Sequence, residues 1–179
     1  MFGQPAPGSL RSGGLLGDVR AWLTRRSRDL WRPADAPPDA GPWRAGSAHA
    51  ATRVLVADDD PVSLMLISAL MESRGVLPLL AGDGAEALAL ASELPFDLIL
   101  MDLQMPVLDG VGATLAIRQM EQRLSRPPVP VVAFSSLLPS AGFLAAHGLS
   151  GSLRKPCSGQ DLDDCLARWC PSSASVRAR

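Results

Sequence analysis

Cysteine, lysine and long apolar runs are all scarce in this chain. The three cysteines (Cys157, Cys165, Cys170) are odd in number and lack metal-ligand spacing. That excludes a disulfide framework and reads as free thiols in a reducing compartment. No apolar stretch approaches the ~18–20 residues of a membrane span, and the N-terminus lacks a signal-peptide core. A cytoplasmic location is therefore expected. The formal net charge is −1 over 179 residues, so bulk charge points to neither nucleic acid nor a membrane surface. No internal repeat is present. Lys155 is the only lysine.

What charge there is divides unevenly. Residues 1–50 hold seven Arg and four Asp, a balance of +3, whereas residues 51–179 hold ten Lys or Arg and fourteen Asp or Glu, a balance of −4. The first part also carries three of the four Trp and much of the Pro and Gly. The run Pro33 to Pro42 suits neither helix nor central strand and reads as a linker. Before it, Leu15, Leu16, Val19, Trp22 and Leu23 recur at helical spacing, with Arg20, Arg25, Arg26 and Arg28 mostly elsewhere on the wheel. Residues 15–31 thus have the pattern of a basic amphipathic helix able to meet a membrane surface or a partner. A single helix this short is barely stable alone, so a largely disordered N-terminal arm is expected. The expected organisation is an arm and linker over 1–50, one domain over 51–171 and a flexible tail over 172–179.

From Thr52 onward, short apolar runs alternate with longer amphipathic ones. Strands are predicted near 53–57, 76–80, 97–101, 129–134 and 151–154, and helices near 61–74, 84–93, 110–124, 139–147 and 159–169. Gly75, Gly148 and Pro127-Pro128 punctuate the connections. In the last helix Ser158 is the N-cap, Leu162, Cys165, Leu166 and Trp169 form one apolar stripe, and Pro171 stops it. Strands alternating with helices imply an α/β fold, a doubly wound parallel sheet covered on both faces.

Two apolar runs end in carboxylates. Val54 to Ala57 is followed by Asp58, Asp59 and Asp60, and Leu98 to Met101 by Asp102. In such sheets the ligand crevice lies beyond the carboxyl ends of the strands. The acids therefore converge, and a hard cation such as Mg²⁺ relieves their repulsion while leaving positions open for a phosphoryl group.

The ordered set Val54-Leu55-Val56-Ala57-Asp58-Asp59-Asp60, Asp102 with Met105-Pro106 and Asp109-Gly110, Ser135, and Lys155-Pro156 resembles the receiver domain of two-component response regulators. The resemblance covers about residues 52–170, and the Asp-Leu-Gln-Met-Pro form around Asp102 looks most like receivers of hybrid sensor kinases. It implies a flavodoxin-like five-stranded sheet of order 2-1-3-4-5. Asp102 would be the phosphoacceptor, taking a phosphoryl group from a phosphohistidine. Asp59 and Asp102 would coordinate Mg²⁺ directly, Asp58 through water, and Gln104 through its backbone carbonyl. Lys155 would bond the phosphoryl oxygens and Ser135 would be the switch hydroxyl. The Lys155–Pro156 bond is cis in the family. Asp60 has a simpler role, capping the helix that starts at Pro61. His49 and His147 call for no catalytic function. Two departures stand out. Ser152 occupies a position usually held by Tyr or Phe, and the stretch from Ser135 to Lys155 is about two residues short, abbreviating the fourth helix.

Two other readings compete. Asp58-Asp59-Asp60-Pro61-Val62 also satisfies the nucleophile motif of haloacid-dehalogenase-like phosphatases, but the late acids Asp161, Asp163 and Asp164 lie on the terminal helix, and Asp102 would have no task. A receiver-like interaction module that is never phosphorylated would not require Asp58, Asp59, Asp102, Ser135 and Lys155 together. Nine residues follow Cys170, and residues 1–50 are not expected to hold a kinase. The expectation is a stand-alone receiver and no true enzyme, working with a histidine kinase or a histidine phosphotransfer protein and without nucleic acid.

Overall fold

The alternating pattern folds into β1 (Val54–Ala57), α1 (Pro61–Glu72), β2 (Leu79–Ala81), α2 (Gly84–Glu93), β3 (Leu98–Met101), α3 (Gly110–Arg123), β4 (Val131–Ser135), α4 (Ala141–Ala146), β5 (Gly151–Arg154) and α5 (Gly159–Trp169). These elements come from a computed structural model, which describes Thr24, Arg25, Arg28 and residues 52–170. The arm, the linker and the tail otherwise lie outside the described residues, as does His49. All strand pairs are parallel and the order is β2-β1-β3-β4-β5. This is the doubly wound arrangement expected from the sequence.

Because side chains alternate across a strand, each apolar run feeds two cores. On one face Val54, Val56, Leu98 and Leu100 pack with Leu64, Ile67 and Met71 of α1 and Leu162 and Leu166 of α5. On the other, Leu55, Ala57, Ile99 and Met101 pack with Ala87 and Leu90 of α2 and Ala113 and Ile117 of α3. Every residue of β1 and β3 is buried, which is why neither run shows an alternating pattern.

Short polar side chains start each of α1 to α5. Asp60, Asp83, Asp109, Ser140 and Ser158 each accept backbone N–H groups of the first turn, and Ser158 with Asp161 completes a reciprocal capping box. Each cap stabilises its helix by about 1 kcal/mol. At the other end of α4, His147 directs Nδ1 to the Phe143 carbonyl at 2.8 Å and stacks on the Phe143 ring, a structural role.

Several bounds differ from the expected ones by one to three residues, and in three elements the cause is visible. β2 begins at Leu79, not 76, because Gly75 (φ 73) turns the chain out of α1 and the Val76 N–H returns to the Met71 carbonyl at 3.1 Å. β4 begins at Val131, not 129, because the buried Glu121 carboxylate takes the Val129 N–H at 2.7 Å and Pro130 has none to give. α4 spans only Ala141–Ala146, shorter than the expected 139–147, since Ser140 caps it and Gly148 (φ 70) ends it.

Candidate functional site

Strand register builds the site. Ala57 pairs with Met101, so the next residues, Asp58 and Asp102, emerge side by side at the carboxyl end of the sheet. The Asp102 N–H bonds the Ala57 carbonyl at 2.8 Å, and the Asp58 N–H bonds the Ala81 carbonyl at 3.1 Å. Asp58, Asp59 and Asp102 each offer an oxygen, all within 4.8 Å of one another. Asp58 is 0% and Asp102 8% exposed.

Lys155 follows β5, its side chain laid over the Phe134 ring with Nζ 5.0 Å from the centroid. The ammonium lies 2.5 Å from Asp58 Oδ2 and 2.7 Å from Asp102 Oδ2. Asp58 also accepts the Ser63 hydroxyl at 2.5 Å and the Asp60 N–H at 3.0 Å. Burial pushes the Asp58 carboxyl above its ordinary value of 3.8, while bonds from Lys155, Ser63 and the Asp60 N–H pull the other way. Nothing in the sequence singles out Ser63. Its only signal is a place in the first turn of a helix already capped by Asp60.

The loop after β3 is held tightly. The Gln104 N–H donates to Asp102 Oδ1 at 3.1 Å. The Leu108 N–H returns to the Pro106 carbonyl at 2.8 Å across Val107, whose φ is 68. This is a γ-turn of the strained hand, at a β-branched residue that is 85% exposed. Gly110 opens α3, where a Cβ would collide with the Asp102 carbonyl. Only glycine lets the helix start against the strand end.

Ser135 closes β4 beside Lys155, whose N–H bonds the Ser135 carbonyl at 3.0 Å. Its hydroxyl accepts the Leu137 N–H at 3.4 Å, a long bond. Ser152 is exposed on β5, and the Lys155–Pro156 peptide is cis. Asp161, Asp163 and Asp164 lie along α5: Asp161 bonds Ser158, Asp163 pairs with Arg74 and Asp164 accepts Gln160, so none joins the acid cluster.

Three carboxylates against one ammonium leave an excess of two negative charges. Hard oxygen donors with that excess fit a divalent cation such as Mg²⁺. No helix among the described residues is long and apolar enough to cross a membrane.

Comparison with known proteins agrees with this geometry. The family model described as response regulator receiver domain matches residues 54–167. The sensor histidine kinase GacS of Pseudomonas protegens is 38% identical over 121 residues, which are 66% of this chain and 13% of that protein. The chain thus spans a small part of such a relative's length. Among solved structures, the receiver domain of a sensor histidine kinase from Pseudomonas aeruginosa, with a magnesium ion coordinated in its active-site cleft, is 34% identical. It aligns with a TM-score of 0.59 over 67% of this chain and 98% of that one. The co-crystal structure of the Saccharomyces cerevisiae phosphotransfer protein Ypd1 with the receiver of Ssk1 matches at 25% identity, with a TM-score of 0.62 over 71% of this chain and 94% of that one.

Proposed function

The chain belongs to the response regulator receiver family, and on that premise we propose that it accepts a phosphoryl group from a phosphohistidine onto Asp102 in a two-component phosphorelay. One observation carries the reading: a single lysine bridges Asp58 and Asp102, with Asp59 beside them, at the end of the sheet. A carboxylate oxygen of Asp102 attacks phosphorus, the P–N bond to the donor imidazole breaks, and the electron pair leaves on the imidazole nitrogen. Such a transfer depends on positioning and charge neutralisation more than on covalent help from the protein.

Each neighbouring group has a part. Asp58, Asp59 and Asp102, with the backbone carbonyl of Gln104, would hold Mg²⁺. When bound, that ion supplies Lewis-acid stabilisation of the phosphoryl oxygens. Lys155 follows the charge that moves from Asp102 to the phosphoryl oxygens, and Ser135 donates its hydroxyl to them. Free cysteines support the cytoplasmic setting expected from the sequence.

The partner is a histidine-bearing protein, a kinase or a phosphotransfer domain. α1 begins beside the acids and shows water Val62 (51%), Met65 (48%) and Leu66 (62%), three apolar side chains at i, i+3 and i+4. Such a stripe suits packing against a partner helix. The test is phosphotransfer from a phosphohistidine protein compared with labelling by acetyl phosphate. Leu66→Asp should slow the first at least several-fold and leave the second unchanged. Failure of the unaltered chain to accept phosphate from either donor would refute the proposal.

A further inference from the structure

Among the described strands β2 pairs with β1 alone, yet Leu79, Leu80 and Ala81 are at most 2% exposed and Gly82 is also buried. The outer edge of a sheet is a template for unwanted pairing and is commonly shielded by a helix, a loop or charged side chains. Glu86, in the first turn of α2, takes part in the shielding here. Its Oε2 accepts the Gly82 N–H at 2.8 Å, and its Oε1 accepts Arg28 Nη2 at 2.7 Å. Arg28 is 58 residues upstream of Glu86.

Thr24, Arg25 and Arg28 are helical, and Thr24 is only 9% exposed. Residues four apart lie on one helical face, so in a continuous helix Thr24 would share the face from which Arg28 reaches the domain. An exposed arginine–carboxylate pair contributes little alone. Its information is in the register it sets, and buried Thr24 one turn away shows that the same face is covered. The charge also matches, +3 over residues 1–50 against −4 over the rest.

We propose that the arm segment containing Thr24, Arg25 and Arg28 is a docking helix that covers the outer edge of the sheet at β2 and α2, with Arg28 on Glu86 fixing its position. Arg28 meets a carboxylate of the same chain, so the proposed occupant of this edge is an intramolecular segment and not a lipid surface. It also rests on the element that supports the phosphoacceptor loop. The Gly84 N–H bonds the Leu108 carbonyl at 3.1 Å, and a Cβ at Gly84 would collide with that carbonyl.

The test is amide hydrogen exchange of the full chain, read by mass spectrometry on peptides covering residues 24–28. A helix this short is barely populated unless it is docked. Docking is expected to slow exchange there by at least about tenfold relative to an unstructured peptide. Arg28→Glu should remove most of that protection, and Arg28→Glu combined with Glu86→Arg should restore part of it. Thr24→Arg, which places a long charged side chain on a covered face, should remove it independently. Unprotected exchange at 24–28 in the unaltered chain, or protection that survives both Arg28→Glu and Thr24→Arg, would overturn the proposal.

Discussion

Lys155→Met deletes the ammonium in the acid pocket while keeping an apolar stem over Phe134. In the unaltered protein that ammonium lies 2.5 Å from Asp58 and 2.7 Å from Asp102. Without it, three carboxylates stay within 4.8 Å of one another and Asp58 remains 0% exposed. Two like charges at that separation repel by roughly 3 kcal/mol at an effective dielectric constant of about 20. Removing one partner of a buried ion pair costs about 3–5 kcal/mol. The Lys155 side chain is 16% exposed, and Asp58, already pushed above its ordinary value, relieves some repulsion by taking up a proton. The expected loss is therefore smaller, roughly 2–4 kcal/mol, or about 10 °C in Tm for a domain of this size.

Thermal unfolding followed by circular dichroism, in EDTA and in excess Mg²⁺, measures it. A cation that binds only the folded state at one hundred times its Kd adds about 2.7 kcal/mol. Mg²⁺ should thus recover much of the loss, and should raise the Tm of the variant more than that of the unaltered chain. A variant as stable as the parent in EDTA would refute the electrostatic reasoning, as would a Tm in either protein that ignores Mg²⁺.

Val107→Gly should raise stability by up to about 1 kcal/mol in denaturant titration. Relief of a left-handed backbone outweighs the added chain entropy of glycine, and the 85% exposed side chain loses no packing. The phosphorylated state should persist well beyond seconds after donor removal, because Leu137, 81% exposed two residues after Ser135, offers attacking water no hydrogen bond. Leu137→Glu should hasten the decay several-fold, measured as loss of the phosphoryl mass with time. Burial pushes the Cys165 and Cys170 thiols up to about 11 and about 12, from an ordinary 9.0. The unfolded chain releases those protons first, so their contribution is fully present below pH 9 and is lost as pH rises through 11 to 12. Urea midpoints should fall across that window, more steeply than in a Cys165→Ala, Cys170→Ala double variant.

Much of the architecture is legible because the apolar runs are so uniform. Val54–Ala57 and Leu98–Met101 are buried on both faces, and only a covered parallel sheet accommodates that. The terminal helix has the bounds expected from Ser158 and Pro171, since its stripe and cap agree. Where pairing depends on tertiary partners, sequence is silent. Glu121 looks like a solvated charge on α3, yet its buried carboxylate delays the start of β4 by taking the Val129 N–H. The convergence of Asp58, Asp59 and Asp102 is readable from strand ends, and Lys155 joins them in the sequence reading only through the family resemblance. The Ser63 bond to Asp58 and the γ-turn at Val107 depend on local backbone direction, which no spacing encodes.

The most direct test is to map the modified residue. The unaltered chain and Asp102→Asn are incubated with acetyl phosphate, with and without Mg²⁺, and analysed by intact and peptide mass spectrometry. Expected is one acyl phosphate on Asp102, labile to strong acid and to base, formed only with Mg²⁺ and missing from the variant. Equal labelling of Asp102→Asn, or a phosphoryl group on any other residue of the unaltered chain, would contradict the assignment.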